Sequence, residues 1–392
     1  MDKSKKTNFF LLIILLISVF FVIPIEEKDP NQPSLEVSSI LDPIYMGTPV
    51  YENTSGDARD VYVSGNYAYV ADGDGGLAIF DVSDPTNPGM PVYEGTNGFA
   101  DSVFVRGDYA YVGNHDEGLA IISILNPANP GPTFYENTNG YARGVYVSGD
   151  FAYVADGLPG LAIINVSNPT NPGAPVYVNT TGYAYDVYVS GNYAYVADYN
   201  VAHIELGQLV VIDISDPTNP GTPVYEAVNG YPLGVYVSGN YAYVGKESGV
   251  NGSNGIAVVD ISNPTNPGLT VYATTIHGAE DVYVSGDYAY LASGQDLVFI
   301  DVSDPTHPGT PDHAPTTDYA YGVYVSGDYA YVADGDEGLA IFEIIDPNPT
   351  GPIPGPAPGG VPFGNSFLII IGLSVICLII AKKRQIARES RK

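Results

Sequence analysis

Tryptophan is absent from the 392 residues, the single cysteine (Cys377) stands in an apolar run, and only 14 Lys and Arg face 44 Asp and Glu. One cysteine excludes an internal disulfide framework and a thiolate metal site, so any fold must hold by packing alone. Of the 14 basic residues only Arg59, Arg106, Arg143 and Lys246 fall between residues 46 and 346. So acidic a stretch repels polyanions, which excludes nucleic acid as a partner and suits a chain exposed to solvent outside the cell. Present in excess are 45 Gly, 32 Pro and 33 Tyr, the profile of many short strands joined by tight turns. The hydrophobic fraction of 45% is enough to bury a core.

The remaining basic residues lie outside that stretch, nearly all at the two ends, beside apolar runs. Lys3, Lys5 and Lys6 precede Phe9 to Ile23, so residues 1–25 read as a signal peptide or an uncleaved signal anchor, followed by a linker over 26–45. Near the carboxyl end, residues 347–362 form a Pro- and Gly-rich stalk, 363–381 a transmembrane helix and 382–392 a basic tail. Basic residues flanking a span mark its cytoplasmic side, which predicts a cell-membrane protein with its tail inside and the rest outside.

Between these segments a unit recurs seven times. Its VYVSG-type element starts at Val61, Val103, Val145, Val187, Val235, Val282 and Val323, 41 to 48 residues apart. The first unit predicts strands over Asp60 to Ser64, Tyr67 to Ala71, Leu77 to Val82 and Pro91 to Glu94. Ser64-Gly65-Asn66 makes a hairpin, and the prolines of Asp84-Pro85-Thr86-Asn87-Pro88-Gly89 confine that stretch to a corner. Tyr67-Ala68-Tyr69-Val70-Ala71 is apolar on both faces, as sheets stacked around an axis require. A β-solenoid is the rival, but its coils are shorter and carry no four-strand pattern. The seventh unit ends after three strands, and the missing fourth stands at the start, where Met46 to Asn53 matches Gly89 to Glu94. The fold class is therefore all-β: a seven-bladed β-propeller over 46–346, closed by an N-terminal strand that leaves no exposed edge at the seam.

Leu77-Ala78-Ile79-Phe80-Asp81-Val82-Ser83, Leu209-Val210-Val211-Ile212-Asp213-Ile214-Ser215 and Leu297-Val298-Phe299-Ile300-Asp301-Val302-Ser303 resemble the LVIVD repeat of prokaryotic cell-surface proteins. That resemblance implies a propeller and a surface location. It supplies no catalytic residue.

Comparing the seven copies separates what the fold dictates from what it leaves free. The SGNY and SGDY turns and the corners are nearly identical, so the face carrying them is uniform. On the opposite face the residue two before each VYV-type start is Arg59, Asp101, Arg143, Tyr185, Leu233, Glu280 or Tyr321. Both long insertions, Asp198 to Gly207 with His203 and Lys246 to Gly255 with Lys246, also fall there. These nine residues are the candidate binding site, with neutral drift of loops as the plain alternative. Both linkers leave from the uniform face, which points the variable face outward.

Other chemistry is thinner. Asp72, Asp74, Asp334 and Asp336 place paired carboxylates at Gly-rich turns as calcium loops do, although the full spacing is absent and an Asx-type turn explains them equally. No other cofactor is indicated, and lack of Trp removes the docking motifs of quinone-dependent propellers. No Gly-x-Ser-x-Gly elbow, HExxH or phosphate loop occurs, so the chain does not read as an enzyme. The expectation is a membrane-held extracellular module that binds a protein or glycan through its variable face. A ligand-free structural role in the envelope and a hydrolase using Asp101 and Glu280 are the other readings.

Overall fold

A computed structural model of the chain describes residues 44–199, 207–248 and 253–346. The segments expected to be signal, stalk, transmembrane helix and tail lie outside the described residues, as does His203. Among the described residues there is no helix, and hence none long and apolar enough to cross a membrane.

The first blade is an antiparallel sheet of Asp60–Ser64, Tyr67–Ala71, Leu77–Asp81 and Val92–Glu94, in sequence order from the inside outward. The third and fourth strands are each one residue shorter than the sequence suggested. Val82 donates its N–H to the Asn66 carbonyl at 2.8 Å instead of to the ladder, and Pro91 has no N–H to give. The next four blades repeat the order. In the sixth, Tyr288–Asp301 serves as both middle strands: Tyr288 to Ala292 pairs with Asp281–Ser285, and its far half pairs with Asp312–Ala320.

Each sheet is buried on both faces because its strands alternate between two neighbours. Ala68, Val70, Ala78 and Phe80 pack toward the seventh blade, whereas Tyr69, Ala71, Leu77 and Ile79 pack toward the second. Small residues on one face let the large ones of the adjoining sheet approach. The same arrangement recurs between every adjacent pair, and the cluster joining Tyr331, Leu339 and Ile341 to Val61, Val63 and Phe80 closes the circle.

The closure predicted from the sequence is present. Val50–Glu52 pairs with Leu339–Ile345, matching Val50 to Ile341 and Glu52 to Leu339, and Tyr45–Met46 extends the pairing to Ile344 and Ile345. The two ends of the propeller therefore emerge side by side. Ile344 donates to Asp328 in a strand-one hairpin, which places both ends on the uniform face.

Local chemistry fixes the two faces. On the uniform one, Gly65 takes φ +59° at the first position of a two-residue turn, and its six counterparts lie at 57–58°. Glycine accepts this left-handed region without strain. Corners are tied by side chains, with Asp84 Oδ1 accepting from Thr86 N (3.1 Å) and Oγ1 (2.7 Å). On the variable face, loops of adjacent blades pair backbone to backbone, Gly73 with Ala100, His115 with Ala142 and Gly157 with Ala184.

Candidate functional site

Along each innermost strand, alternate side chains point at the axis, so the strand positions stack into rings. The central ring is Tyr62, Phe104, Tyr146, Tyr188, Tyr236, Tyr283 and Tyr324, with successive centroids 4.6–5.0 Å apart. The aromatics close the channel. Burial pushes the hydroxyls of Tyr62, Tyr146, Tyr188, Tyr236 and Tyr324 well up, so these phenols stay neutral hydrogen-bonding groups.

Above this plug, on the variable face, lies a funnel of about 120 Å³. Its wall is formed by Arg59, Asp101, Arg143, Tyr185, Leu233, Glu280 and Tyr321, the seven positions singled out from repeat comparison. Those residues are one structural ring, brought together by the blade repeat itself.

The wall is internally braced. Asp101 receives Arg59 Nε at 3.4 Å and Arg143 Nη1 at 3.2 Å, with His115 Nε2 at 3.5 Å. Burial would push the Asp101 carboxyl up, but hydrogen bonding to His115 and the charges of Arg143 and Arg59 outweigh it and hold the group low. The guanidinium of Arg59 lies 3.6 Å from the Tyr321 ring centroid and that of Arg143 4.7 Å from Tyr185, stacking that fixes both cations at the rim. Across the funnel, Glu280 accepts the Tyr319 hydroxyl at 2.8 Å. Burial dominates there and raises the Glu280 carboxyl despite that bond.

The floor was missed by reasoning from the sequence. The residue one before each VYV-type start is Asp60, Ser102, Gly144, Asp186, Gly234, Asp281 or Gly322. The aspartates tie blades together: Asp60 accepts from Val61 and Val103, Asp186 from Val187 and Val235, and Asp281 from Val282 and Val323, all at 2.7–2.9 Å. The glycines follow from this packing. A Cβ on Gly234 would lie 2.7 Å from the Asp281 Cα, and one on Gly322 equally close to the Asp60 Cα. Burial pushes Asp186 up to about 7, helped by the charge of Asp281, and pushes Asp281 up to about 6. Asp60 rises for the same reasons, burial first and then Asp281. The in-register alternation of Asp and Gly was the available signal.

Two sequence expectations need correction. Lys246 is not a surface contact: it is 1% exposed, donates to the Ser253 carbonyl and lies 5.3 Å from the Tyr272 ring centroid. It continues the second strand of its blade at the place where Asp72 stands in the first, so the register turns it inward. Burial lowers its ammonium to about 8. The carboxylates Asp72, Asp74, Asp334 and Asp336 do not gather around a cation either. Asp72 Oδ2 accepts from Gly56 N (2.9 Å) and Ser55 N (3.2 Å), and Asp334 Oδ2 from Thr317 N (3.0 Å). Each closes the loop that enters its own blade. Asp74 and Asp336 lie outside these bonds at the turn, and among the described residues no group of three His, Cys, Asp or Glu could hold a metal ion.

The solved structure of U3-55K matches over 76% of this chain and 98% of its own, with a TM-score of 0.57 at 11% identity. The crystal structure of the computationally designed Ika8 protein matches over 75% and 98%, with a TM-score of 0.52 at 8% identity. Likenesses this remote in sequence speak to the fold alone. No curated protein matches the chain. The model of the LVIVD repeat matches seven times, over residues 55–92, 97–138, 139–180, 181–222, 229–275, 278–310 and 318–353. Covering most of the chain, one match per blade, it establishes that the protein belongs to the LVIVD-repeat family of β-propellers.

Proposed function

We propose that this propeller is a non-enzymatic recognition module, held on the outer side of a membrane, whose variable face binds a protein or glycan. One observation carries the reading: seven equivalent positions hold Arg, Asp, Arg, Tyr, Leu, Glu and Tyr, yet all converge on a single funnel. Below the floor of Asp, Ser and Gly, the next ring is tyrosine in six copies and phenylalanine in one. Packing has kept that layer uniform, and it accounts for the Asp and Gly of the floor, whereas the backbone pairing of the blades does not call for the variety of the wall. Arg and Tyr are the residue types that dominate binding energy at interfaces, and Arg59, Arg143, Tyr185 and Tyr321 are pre-set by stacking, which lowers the entropy lost on binding. Tethering outside a membrane fits the position of both propeller ends on the uniform face, which leaves the funnel free. A hydrolytic role for Asp101 is disfavoured by its two arginine partners, which hold its lone pairs and its charge.

The test is to probe arrays of glycans and of secreted-protein peptides with the full chain and with the combined Arg143→Ala, Tyr185→Ala and Tyr321→Ala variant. Ligands bound by the native chain should lose at least about tenfold in affinity, the effect of removing interfacial anchors. Retention of every ligand by a folded variant would sink the reading.

A further inference from the structure

A second ring of residues stands at the mouth of the funnel, beside the wall. The residue four before each VYV-type start is Asp57, Phe99, Tyr141, Tyr183, Tyr231, Gly278 or Tyr319, aromatic in five of the seven blades. Four of these rings touch the wall or its braces. The Arg59 guanidinium lies 5.8 Å from the Phe99 centroid, Tyr183 lies 5.1 Å from Tyr185, and Tyr319 lies 4.8 Å from Tyr321. Tyr141, the most open at 49% exposed, lies 5.6 Å from the ring of His115, which meets Asp101 at 3.5 Å. Below the mouth, charge is compensated within the ring: Asp60 and Asp101 stand by Arg59, and Asp101 by Arg143. Each of the six carboxylate oxygens of Asp60, Asp186 and Asp281 accepts one backbone N–H. With five carboxylates to two guanidiniums, the funnel repels anions. The wall still has hydrogen-bonding capacity of both kinds. Among the described residues, Nη2 of Arg59 and of Arg143, Oε2 of Glu280 and the hydroxyls of Tyr185 and Tyr321 make no hydrogen bond.

Resting on the reading of the variable face as a recognition surface, we infer that the funnel holds one uncharged terminal hexopyranose of a glycan. Its apolar C–H face lies against the mouth aromatics, and its hydroxyls reach the unspent groups of the wall. Hydroxyls suit such a wall because each one both donates and accepts, giving to Glu280 and receiving from Arg59 or Arg143. A carboxylate or an ammonium does only one of these. Aromatic rings already packed against their neighbours supply the apolar half of the contact at little entropic cost. The tyrosine ring closes the funnel below, and about 120 Å³ takes one small unit. The sugar therefore enters end on, and the rest of the glycan stays outside. The five carboxylates set the site against sugars that carry an acid group.

Isothermal titration of the full chain with the methyl glycosides of D-glucose, D-galactose and D-mannose, and with the uronic acid and 2-amino sugar of each, tests this. At least one neutral glycoside is expected to saturate a single site. Its uronic acid should bind at least about tenfold more weakly, because its carboxylate meets like charge. Tyr141→Ala, which removes the most open ring of the mouth, should cost about tenfold in affinity, as truncation of an aromatic anchor does. Tyr141→Phe should bind as the native chain does, since the ring and not the hydroxyl makes the contact. The proposal is overturned if no neutral glycoside saturates, or if an acid or amino sugar binds equally well or better. Full affinity in Tyr141→Ala, or lost affinity in Tyr141→Phe, overturns it too. Array peptides held through Arg143, Tyr185 and Tyr321, with silence toward every glycoside, overturn this inference alone. Arrays and titrations silent together remove the reading on which it rests.

Discussion

Replacing Asp186 with Asn should flatten the dependence of stability on pH. Asp186 has its carboxyl raised to about 7 in the folded protein from an ordinary 3.8. The folded state therefore binds a proton more tightly than the unfolded chain, and stability must fall as pH rises through the interval between those values. A rise of that size corresponds to a ceiling of about 4 kcal/mol, and most of the change falls between pH 5 and 8. The funnel is open to solvent, which screens the group, and Asp281 titrates beside it, so a loss of about 1–3 kcal/mol between pH 5 and 8 is expected for the native protein. Asp60, Asp281 and Glu280 are shifted in the same direction and reinforce the slope. The exposed corner aspartates such as Asp81 and Asp304 are lowered by their hydrogen bonds, so they act only at more acid pH. Asn keeps one oxygen for a backbone N–H but opposes the other with an amide, which costs about 1–2 kcal/mol at pH 5. At pH 8 that cost is offset by removal of the buried charge. Urea unfolding at half-unit steps from pH 5 to 8 reads both curves. A native protein that gains stability over this range, or an Asp186→Asn variant with an undiminished slope, would refute the reasoning.

Lys246→Met keeps the buried stem and removes a charge whose folded value, about 8, lies below its ordinary 10.5. The variant should match or exceed native stability at pH 7, with the advantage vanishing as pH rises above 9, measured by thermal unfolding. Deleting residues 44–52 strips the closing strands from Leu339–Ile345. The expected cost is on the order of 3–5 kcal/mol, with an exposed edge that drives oligomers visible by light scattering. Tyr188→Ala opens a hole in the aromatic ring and removes two ring contacts at 4.8 Å, and should cost about 3–5 kcal/mol in chemical denaturation.

The propeller was legible because each blade is built from local signals repeated seven times. Gly65 and its counterparts mark the hairpins, the proline corners bound the third strands, and the match of Met46 to Asn53 with Gly89 to Glu94 foretold the seam. The funnel wall was legible for the same reason, since a ring position in a repeat fold is a column in an internal alignment. What escaped were effects that arise between blades. Asp60, Asp186 and Asp281 look like ordinary strand starts until the next blade's backbone is placed against them. Lys246 looked like a surface cation because long loops usually display their charges, but here the second strand runs on to Glu247 and carries Lys246 inward. Asp72 and Asp334 resemble cation ligands in sequence, and only the incoming loops at Gly56 and Thr317 reveal their partners.

The most direct test of a recognition surface on one face is to compare the faces in one protein. The Arg143→Ala, Tyr185→Ala, Tyr321→Ala variant disarms the funnel, whereas Met90→Ser, Leu125→Ser, Leu269→Ser alters exposed apolar residues at the corners between outer strands. Both sets of full chains, displayed on cells of one strain and matched for surface amount, are scored for binding the ligands found on the arrays. The account predicts that binding disappears with the first set and persists with the second. Loss with the corner set alone, or equal binding by both, would contradict it.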